Sequence, residues 1–213
     1  MTANDLLALL QGAVFTVLFS VTAVVVGVPA GLGLALIRWR GVPVLSPAVA
    51  LLVSVLRAAP AVTLALLIFF ALPRVGVSLD PVPAGILTLT LSTMAFNCEI
   101  WRASLLALPR DQLDAALAMG MGRTLRFRRI VLPQVARAAL PALVNELTLL
   151  VKVSPAVAVL GVVDITRAAV RIGAQTYEPL PPFMAALVIY SLIVFLFVRL
   201  QRTVERRMGA SLA

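Results

Sequence analysis

The sequence contains no histidine and only one cysteine, Cys98, in 213 residues. The absence of histidine removes the commonest general base and the commonest metal ligand. A single cysteine excludes an internal disulfide and cannot form a cluster of cysteine metal ligands. Charged residues are also scarce, at 13% of the chain, where a soluble domain carries about 25%. The sequence therefore argues against histidine-based catalysis and against a metal site built on cysteines.

Apolar residues are abundant instead: they make up 62% of the chain, and the mean hydropathy is +1.06. A soluble domain contains roughly 45–50% apolar residues. The excess is too large for a buried core alone, so lipid must face much of the surface. Because no stretch marks a second, soluble domain, residues 1–213 are predicted to form a single transmembrane domain.

Five apolar stretches are long enough to cross a membrane, which takes about 20 residues. The second stretch is interrupted by Arg57 and Pro60, and the fourth by charged residues and Pro155. We therefore expect an all-α integral membrane protein with five transmembrane helices. The predicted spans cover residues 12–37, 47–72, 84–106, 135–159 and 183–200.

The net charge of +9 comes from basic residues that lie mostly in the connections between these stretches. Cytoplasmic connections carry an excess of lysine and arginine, so the distribution predicts an outside N-terminus and a cytoplasmic C-terminus. It also accounts for the charge without nucleic-acid binding. The poorer connections hold Arg74, and Arg167 with Arg171; the richer ones hold Arg38 and Arg40, then Arg102, Arg110, Arg123, Arg126, Arg128 and Arg129, then Arg199, Arg202, Arg206 and Arg207.

Small residues recur at four-residue steps along the first predicted span, at Ala23, Gly27, Gly31 and Ala35. This spacing places them on one face of a helix and lets another backbone approach closely. Packing within the chain and a subunit interface both fit the pattern, and packing within the chain is the favoured interpretation.

The long basic connection after the third span has the features of a short helical hairpin. Pro109 and Asp111 offer a helix start, and Gly120 or Gly122 can end the helix in a left-handed conformation. An alanine-rich hairpin with arginines suits insertion into a cleft on a partner protein. An amphipathic loop held by anionic headgroups is an equally good interpretation of the composition alone.

The same segment closely resembles the signature of ABC importer permeases, which is Glu-Ala-Ala, three residues, Gly, nine residues, then Ile-x-Leu-Pro. One departure is an aspartate in place of the usual glutamate. More of the chain resembles the polar amino-acid branch of that family, including Glu99 with Arg102, Arg57 to Pro60, and Asp164 with Ile165, although Val153 to Pro155 departs from it. The signature positions are Asp114, Ala115, Ala116, Gly120, Ile130, Leu132 and Pro133, and the run after them includes Gln134, Arg137, Asn145 and Lys152.

The resemblance implies the type I ABC importer permease fold, with a cytoplasmic coupling segment, residues 108–133, between the third and fourth spans. It implies two permeases, identical or related, around a central pathway in a bacterial inner membrane. Two cytoplasmic ABC ATPase subunits would hold the coupling segments, and an extracytoplasmic solute-binding protein would deliver an amino acid. ATP and magnesium would bind the ATPase, so this chain would carry no catalytic residue, metal or cofactor. The sequence has no Gly-Lys-Ser/Thr phosphate loop of its own.

Charged residues inside the predicted spans are candidates for the substrate pathway, because a charge facing lipid at mid-membrane costs at least about 2.5–3.5 kcal/mol. They could contact the ammonium and carboxylate of an amino acid, or they could pair with each other and lock the helices together. Both interpretations stay open. The candidates are Arg57, Glu99, Glu146 and Lys152, with Asn145 as a neutral partner.

Three other functions fit parts of the pattern. The cargo could be a related small solute, such as an opine, ectoine or cystine. A self-sufficient secondary transporter or channel would also contain buried charges, but it gives no reason for the spacing between Asp114 and Pro133. A membrane scaffold would leave the charges within the spans unexplained.

Overall fold

The computed structural model describes residues 1–209, with side chains described through Thr203, and all of its regular structure is helical. The last four residues of the predicted domain, 210–213, lie outside the described part. So do the side chains of Arg206 and Arg207. In chain order the helices are α1 (Ala3–Trp39), α2 (Leu45–Ala58), α3 (Ala61–Ala71), α4 (Pro81–Leu106), α5 (Arg110–Ala118), α6 (Arg123–Arg126), α7 (Leu132–Val153), α8 (Ile165–Thr176) and α9 (Leu180–Gly209).

Three helical stretches within residues 1–209 are long and apolar enough to cross a membrane: Ala3–Trp39, Arg123–Leu160 and Leu180–Thr203. The second of these is continuous because a π-helical turn, Phe127–Val131, joins α6 to α7, and a 3₁₀ segment, Ser154–Leu160, follows α7.

The predicted span 47–72 falls on two helices, α2 and α3, with 112° between them, and the pair would count as a fourth crossing if it is one span. The break lies at Ala59 and Pro60. Proline has no N–H for the helix ladder and disfavours the helical conformation in the residue before it. Ala59 is accordingly extended, with φ −71° and ψ 128°.

Helix α4 covers the predicted span 84–106 and forms the centre of the fold, packed against α1, α2, α3 and α7. The small-residue stripe of α1 is buried against it. A Cβ at Gly31 would lie 2.9 Å from the Cys98 nitrogen and the Met94 oxygen, so the two backbones touch there. The stripe therefore serves packing within the chain, as the favoured interpretation predicts, and not a subunit interface.

A second, smaller core joins the beginning of α1 to α8 and α9, through Leu9, Ile165, Ala168, Ile172 and Ala186. Helix α8 was not predicted. It begins at Ile165 and is capped by Asp164, whose Oδ1 accepts a hydrogen bond from the Arg167 N–H at 2.8 Å.

Large apolar side chains are exposed over much of the surface. Only 6% of the most apolar stretch of α9 is buried. The side chains of Leu51, Val25 and Phe70 are each more than half exposed. A soluble protein rarely exposes contiguous apolar areas of this kind. The pattern is typical of a membrane protein, whose apolar surface faces lipid.

Candidate functional site

A cavity of about 300 Å³ opens where the break between α2 and α3 faces α4 and α7. Two of the predicted pathway residues, Arg57 and Glu146, border it. Its walls are otherwise mainly apolar, a composition typical of sites for small molecules. The lining residues are Arg57, Ala59, Ala61, Ser92, Phe96, Glu146, Leu149, Leu150 and Val153.

Glu146 supplies the carboxylate of this cavity and is only 7% exposed. Its Oε2 accepts a hydrogen bond from the Thr93 hydroxyl at 2.6 Å and a longer one from the Asn97 Nδ2 at 3.3 Å. Among the residues that the structure describes, no lysine or arginine pairs with it. Two neutral donors thus hold a buried carboxylate that keeps its capacity to bind a cation.

Asn97, the second donor to Glu146, is also hydrogen-bonded to the first donor, Thr93. Its Nδ2 also donates to the Thr93 carbonyl at 2.8 Å, one helical turn earlier in α4. Its Oδ1 is buried and has no hydrogen-bond partner in the described part of the chain. Glu146, Thr93 and Asn97 form what we call the carboxylate cluster.

Arg57 lies at the rim of the same cavity, in the last turn of α2. Its guanidinium sits over the ring of Phe96, with its central carbon 5.3 Å from the ring centroid, a cation–π contact. Its side chain is exposed, and no acidic partner occurs within the described residues. The cavity is therefore bordered by a guanidinium without an acidic partner and a carboxyl group without a basic partner among the described residues.

Glu99 lies elsewhere. It forms ion pairs with Arg38, at the end of α1, and with Arg102, whose Nε is 2.9 Å from Glu99 Oε2. The resemblance links Glu99 with Arg102, but the sequence does not pair either with Arg38, 61 residues before Glu99. This arrangement joins α1 to α4, and Glu99 does not line the cavity.

Asn145 and Lys152 also lie outside the cavity. Asn145 is exposed, and its carbonyl accepts a hydrogen bond from the Thr148 hydroxyl at 2.7 Å. Lys152 is six residues after Glu146, about 240° further around the helix, and borders a separate cavity of about 570 Å³ between α7 and α9. The structure thus brings Arg57 and Glu146 together and separates them from Glu99, Asn145 and Lys152.

Thr93, Asn97 and Ser92 were not predicted as site residues. A usable signal existed, because Thr93 and Asn97 are polar residues four apart inside an apolar stretch and must share one helix face. Their link to Glu146, 53 and 49 residues away, had no counterpart in the sequence pattern.

The coupling segment of the sequence analysis forms α5, a turn and α6. Helix α5 begins after Pro109, as predicted, and Gly120 is left-handed with φ +72°. Ala116 is buried, whereas Asp114 and Ala115 are exposed. Leu117 in α5, Met119 in the turn (83% exposed) and Leu125 in α6 are exposed, and Leu125 borders the same cavity as Arg128 and Arg129. An apolar tip flanked by arginines can insert into a cleft with acidic edges.

Residues 27–210 match the model of the family described as binding-protein-dependent transport system inner membrane component. The chain is 31% identical over 204 residues to the arginine transport system permease protein ArtQ of Bacillus subtilis, covering 95% of this chain and 93% of that protein. It is 30% identical over 204 residues to the putative glutamine transport system permease protein GlnP of Rickettsia felis, covering 95% and 94%. A crystal structure of an amino acid ABC transporter with histidines contains a chain of the same fold, with a TM-score of 0.86, 30% identity and 94% of both chains covered.

Proposed function

The chain belongs to the family of binding-protein-dependent transport system inner membrane components, and we propose that it is the permease subunit of an ATP-driven amino-acid importer. The observation that carries the proposal is the cavity with Glu146 in its wall and Arg57 at its mouth. A free amino acid has an ammonium and a carboxylate, so it can neutralise both side chains at once. The similarity to permeases named for arginine and glutamine transport supports the same substrate class.

In this proposal the ammonium, or a basic side chain, of the amino acid binds Glu146, and the carboxylate binds Arg57. Desolvation strengthens the first contact, because Glu146 is buried and its partners in the chain are neutral. The volume of about 300 Å³ is at the lower end of the range for small-molecule sites, which fits a single amino acid.

The other predicted pathway residues, Glu99, Asn145 and Lys152, are proposed to have roles outside this cavity. The two ion pairs of Glu99 favour the structural interpretation, in which it fastens α1 to α4. Asn145 and Lys152 are exposed on α7 inside a predicted span, where an unpaired cation facing lipid is costly. We propose that they face the central pathway or the second permease.

Coupling to ATP hydrolysis is assigned to the segment 108–133. Its exposed Leu117, Met119 and Leu125 suit a cleft on an ABC ATPase. The positions that resemble the importer signature, with aspartate in place of its usual glutamate, are Asp114, Ala115, Ala116, Gly120, Ile130, Leu132 and Pro133. In this proposal ATP and magnesium bind that partner.

The proposed assembly contains two permeases, identical or related, two ATPases and an extracytoplasmic binding protein in a bacterial inner membrane. Each permease would have five spans, with α2 and α3 together forming the second and α4 the third. The arginine distribution supports an outside N-terminus and a cytoplasmic coupling segment.

Replacing Glu146 with Gln tests the proposed site. We expect tritiated arginine, glutamine or histidine, whichever the wild type binds best, to bind the purified permease–ATPase complex about tenfold or more weakly, because a hydrogen bond to a charged group is lost. Glu178→Gln, an exposed position in the connection before α9, is the matched control. Equal affinity in the wild type and Glu146→Gln would remove Glu146 from the pathway.

A further inference from the structure

Helix α1 reaches the carboxylate cluster at one glycine. Gly27 is buried, and a methyl group built on it would overlap the Thr93 Cγ2. It would also lie 3.2 Å from the Met94 nitrogen and the Thr90 oxygen. The Thr93 methyl therefore occupies the space that the missing side chain of Gly27 leaves between α1 and α4.

Thr93 has two branches on one carbon, and each branch has its own partner. The methyl fills the space at Gly27, and the hydroxyl donates to Glu146 Oε2 at 2.6 Å. A β-branched side chain in a helix has few allowed rotamers, so the position of the methyl and the direction of the hydroxyl are fixed together. A shift of the methyl would rotate or displace the hydroxyl that Glu146 accepts from.

Nothing else in the described chain holds this carboxylate as closely. Its other donor, Asn97, is at 3.3 Å and is itself bonded to Thr93, through both the carbonyl and the hydroxyl. The positions of both side chains that donate to Glu146 therefore depend on the position of Thr93.

We propose that Gly27 and Thr93 are positioning residues for substrate binding: the α1 backbone at Gly27 fixes Thr93, and Thr93 fixes the carboxylate of Glu146. The inference rests on the proposed function, since it assigns a cause to the orientation of a carboxylate that binds the amino acid. Helix α1 would therefore influence the affinity for the amino acid, although none of its residues lines the cavity.

Four variants separate the two branches of Thr93. Thr93→Val keeps the shape and removes the hydroxyl, whereas Thr93→Ser keeps the hydroxyl and removes the methyl. Gly27→Ala adds a methyl group that overlaps the Thr93 methyl. The double variant, Gly27→Ala with Thr93→Ser, removes that overlap because serine lacks the methyl. Gly33→Ala is the matched control, because it lies in the same helix and a Cβ there has nothing within 4 Å.

The measurement is the dissociation constant of the tritiated amino acid that the wild-type permease–ATPase complex binds best among arginine, glutamine and histidine. Thr93→Val and Gly27→Ala should each weaken binding about tenfold. Thr93→Ser keeps the hydroxyl but loses the methyl contact at Gly27, so it should weaken binding measurably but less than Thr93→Val. The double variant should bind as Thr93→Ser does, and therefore better than Gly27→Ala. In a Glu146→Ala background, Gly27→Ala should have no further effect.

Equal affinities of Thr93→Val and Thr93→Ser would overturn the inference, even if Gly27→Ala fails to assemble. Wild-type affinity in Thr93→Ser would overturn the role of Gly27, because the methyl contact would then position nothing. A loss in Gly27→Ala that persists in the Glu146→Ala background would also overturn it, because the effect would not pass through the carboxylate. The proposed function fails in a different way, by Glu146→Gln binding the amino acid as well as the wild type does.

Discussion

Gly120 is the residue on which the shape of the coupling segment depends most. It has φ +72°, where a side chain costs about 1–2 kcal/mol, yet a Cβ there would meet no atom within 4 Å. A substitution therefore strains the turn without disturbing the membrane-embedded core. The N–H of Gly120 also closes α5, at 2.9 Å from the Leu117 carbonyl.

Gly120→Val should leave the amount of protein in the membrane and its thermal unfolding almost unchanged while weakening its association with the ATPase. Co-purification of the ATPase with tagged permease measures this. Gly122→Val is the matched control, because Gly122 is equally open but has φ −63°. A Gly120→Val complex that co-purifies normally and hydrolyses ATP at the wild-type rate would exclude the proposed coupling role.

At the residue scale, the sequence was informative where a residue's chemistry is unusual for its surroundings. Glu146 and Arg57 stood out as charges in apolar stretches, and Gly120 as a turn glycine. The spacing of Thr93 and Asn97 places them on one helix face but does not show that they bond another helix, because a threonine or asparagine in a membrane helix commonly bonds its own backbone. Their role depends on which face of α4 meets α7, and that is a property of the packed structure.

At the scale of helices, the ion pairs of Glu99 join one end of α1 to α4. Arg38 and Arg102 both pair with this carboxylate, which is partly buried. Removing its charge leaves two arginines close together without a counter-ion, and a partly buried pair has less solvent screening than a surface pair.

Glu99→Gln should therefore destabilise the protein, by about 1–2 kcal/mol, and leave amino-acid binding within about twofold of the wild type. Thermal unfolding in detergent and the dissociation constant of the tritiated amino acid give the two values. Glu146→Gln is expected to show the opposite pattern. Weakened binding with unchanged unfolding in Glu99→Gln would instead place Glu99 in the pathway.

At the element scale, helices with strong local features were predicted well. Helix α1 contains the predicted stretch 12–37 but begins nine residues earlier, at Ala3, and α5 begins after Pro109, where the sequence offers a helix start. Pro60 marked an interruption, but the 112° angle between α2 and α3 depends on how both helices pack on α4. Helix α8 was missed because it lies in a connection, and only Asp164 as an N-cap and the buried residues at steps of three and four indicate it.

On the scale of the whole molecule, the chain is one part of a larger assembly. Exposed apolar surface, an unpaired Lys152 on α7 and an exposed apolar tip at Met119 each call for an environment that the described chain does not provide itself. Lipid suits the outer face of α9. Other subunits suit the charged faces and the tip.

The division of labour between subunits is the central claim, and one reconstitution tests it most directly. Uptake of the tritiated amino acid is measured in proteoliposomes that contain the permease alone, the permease with its ATPase, and the complete set with the binding protein, each with and without internal ATP. We expect uptake only in the complete set with ATP. Saturable uptake by the permease alone, driven by an ion gradient and indifferent to ATP, would contradict the account and favour a self-sufficient transporter.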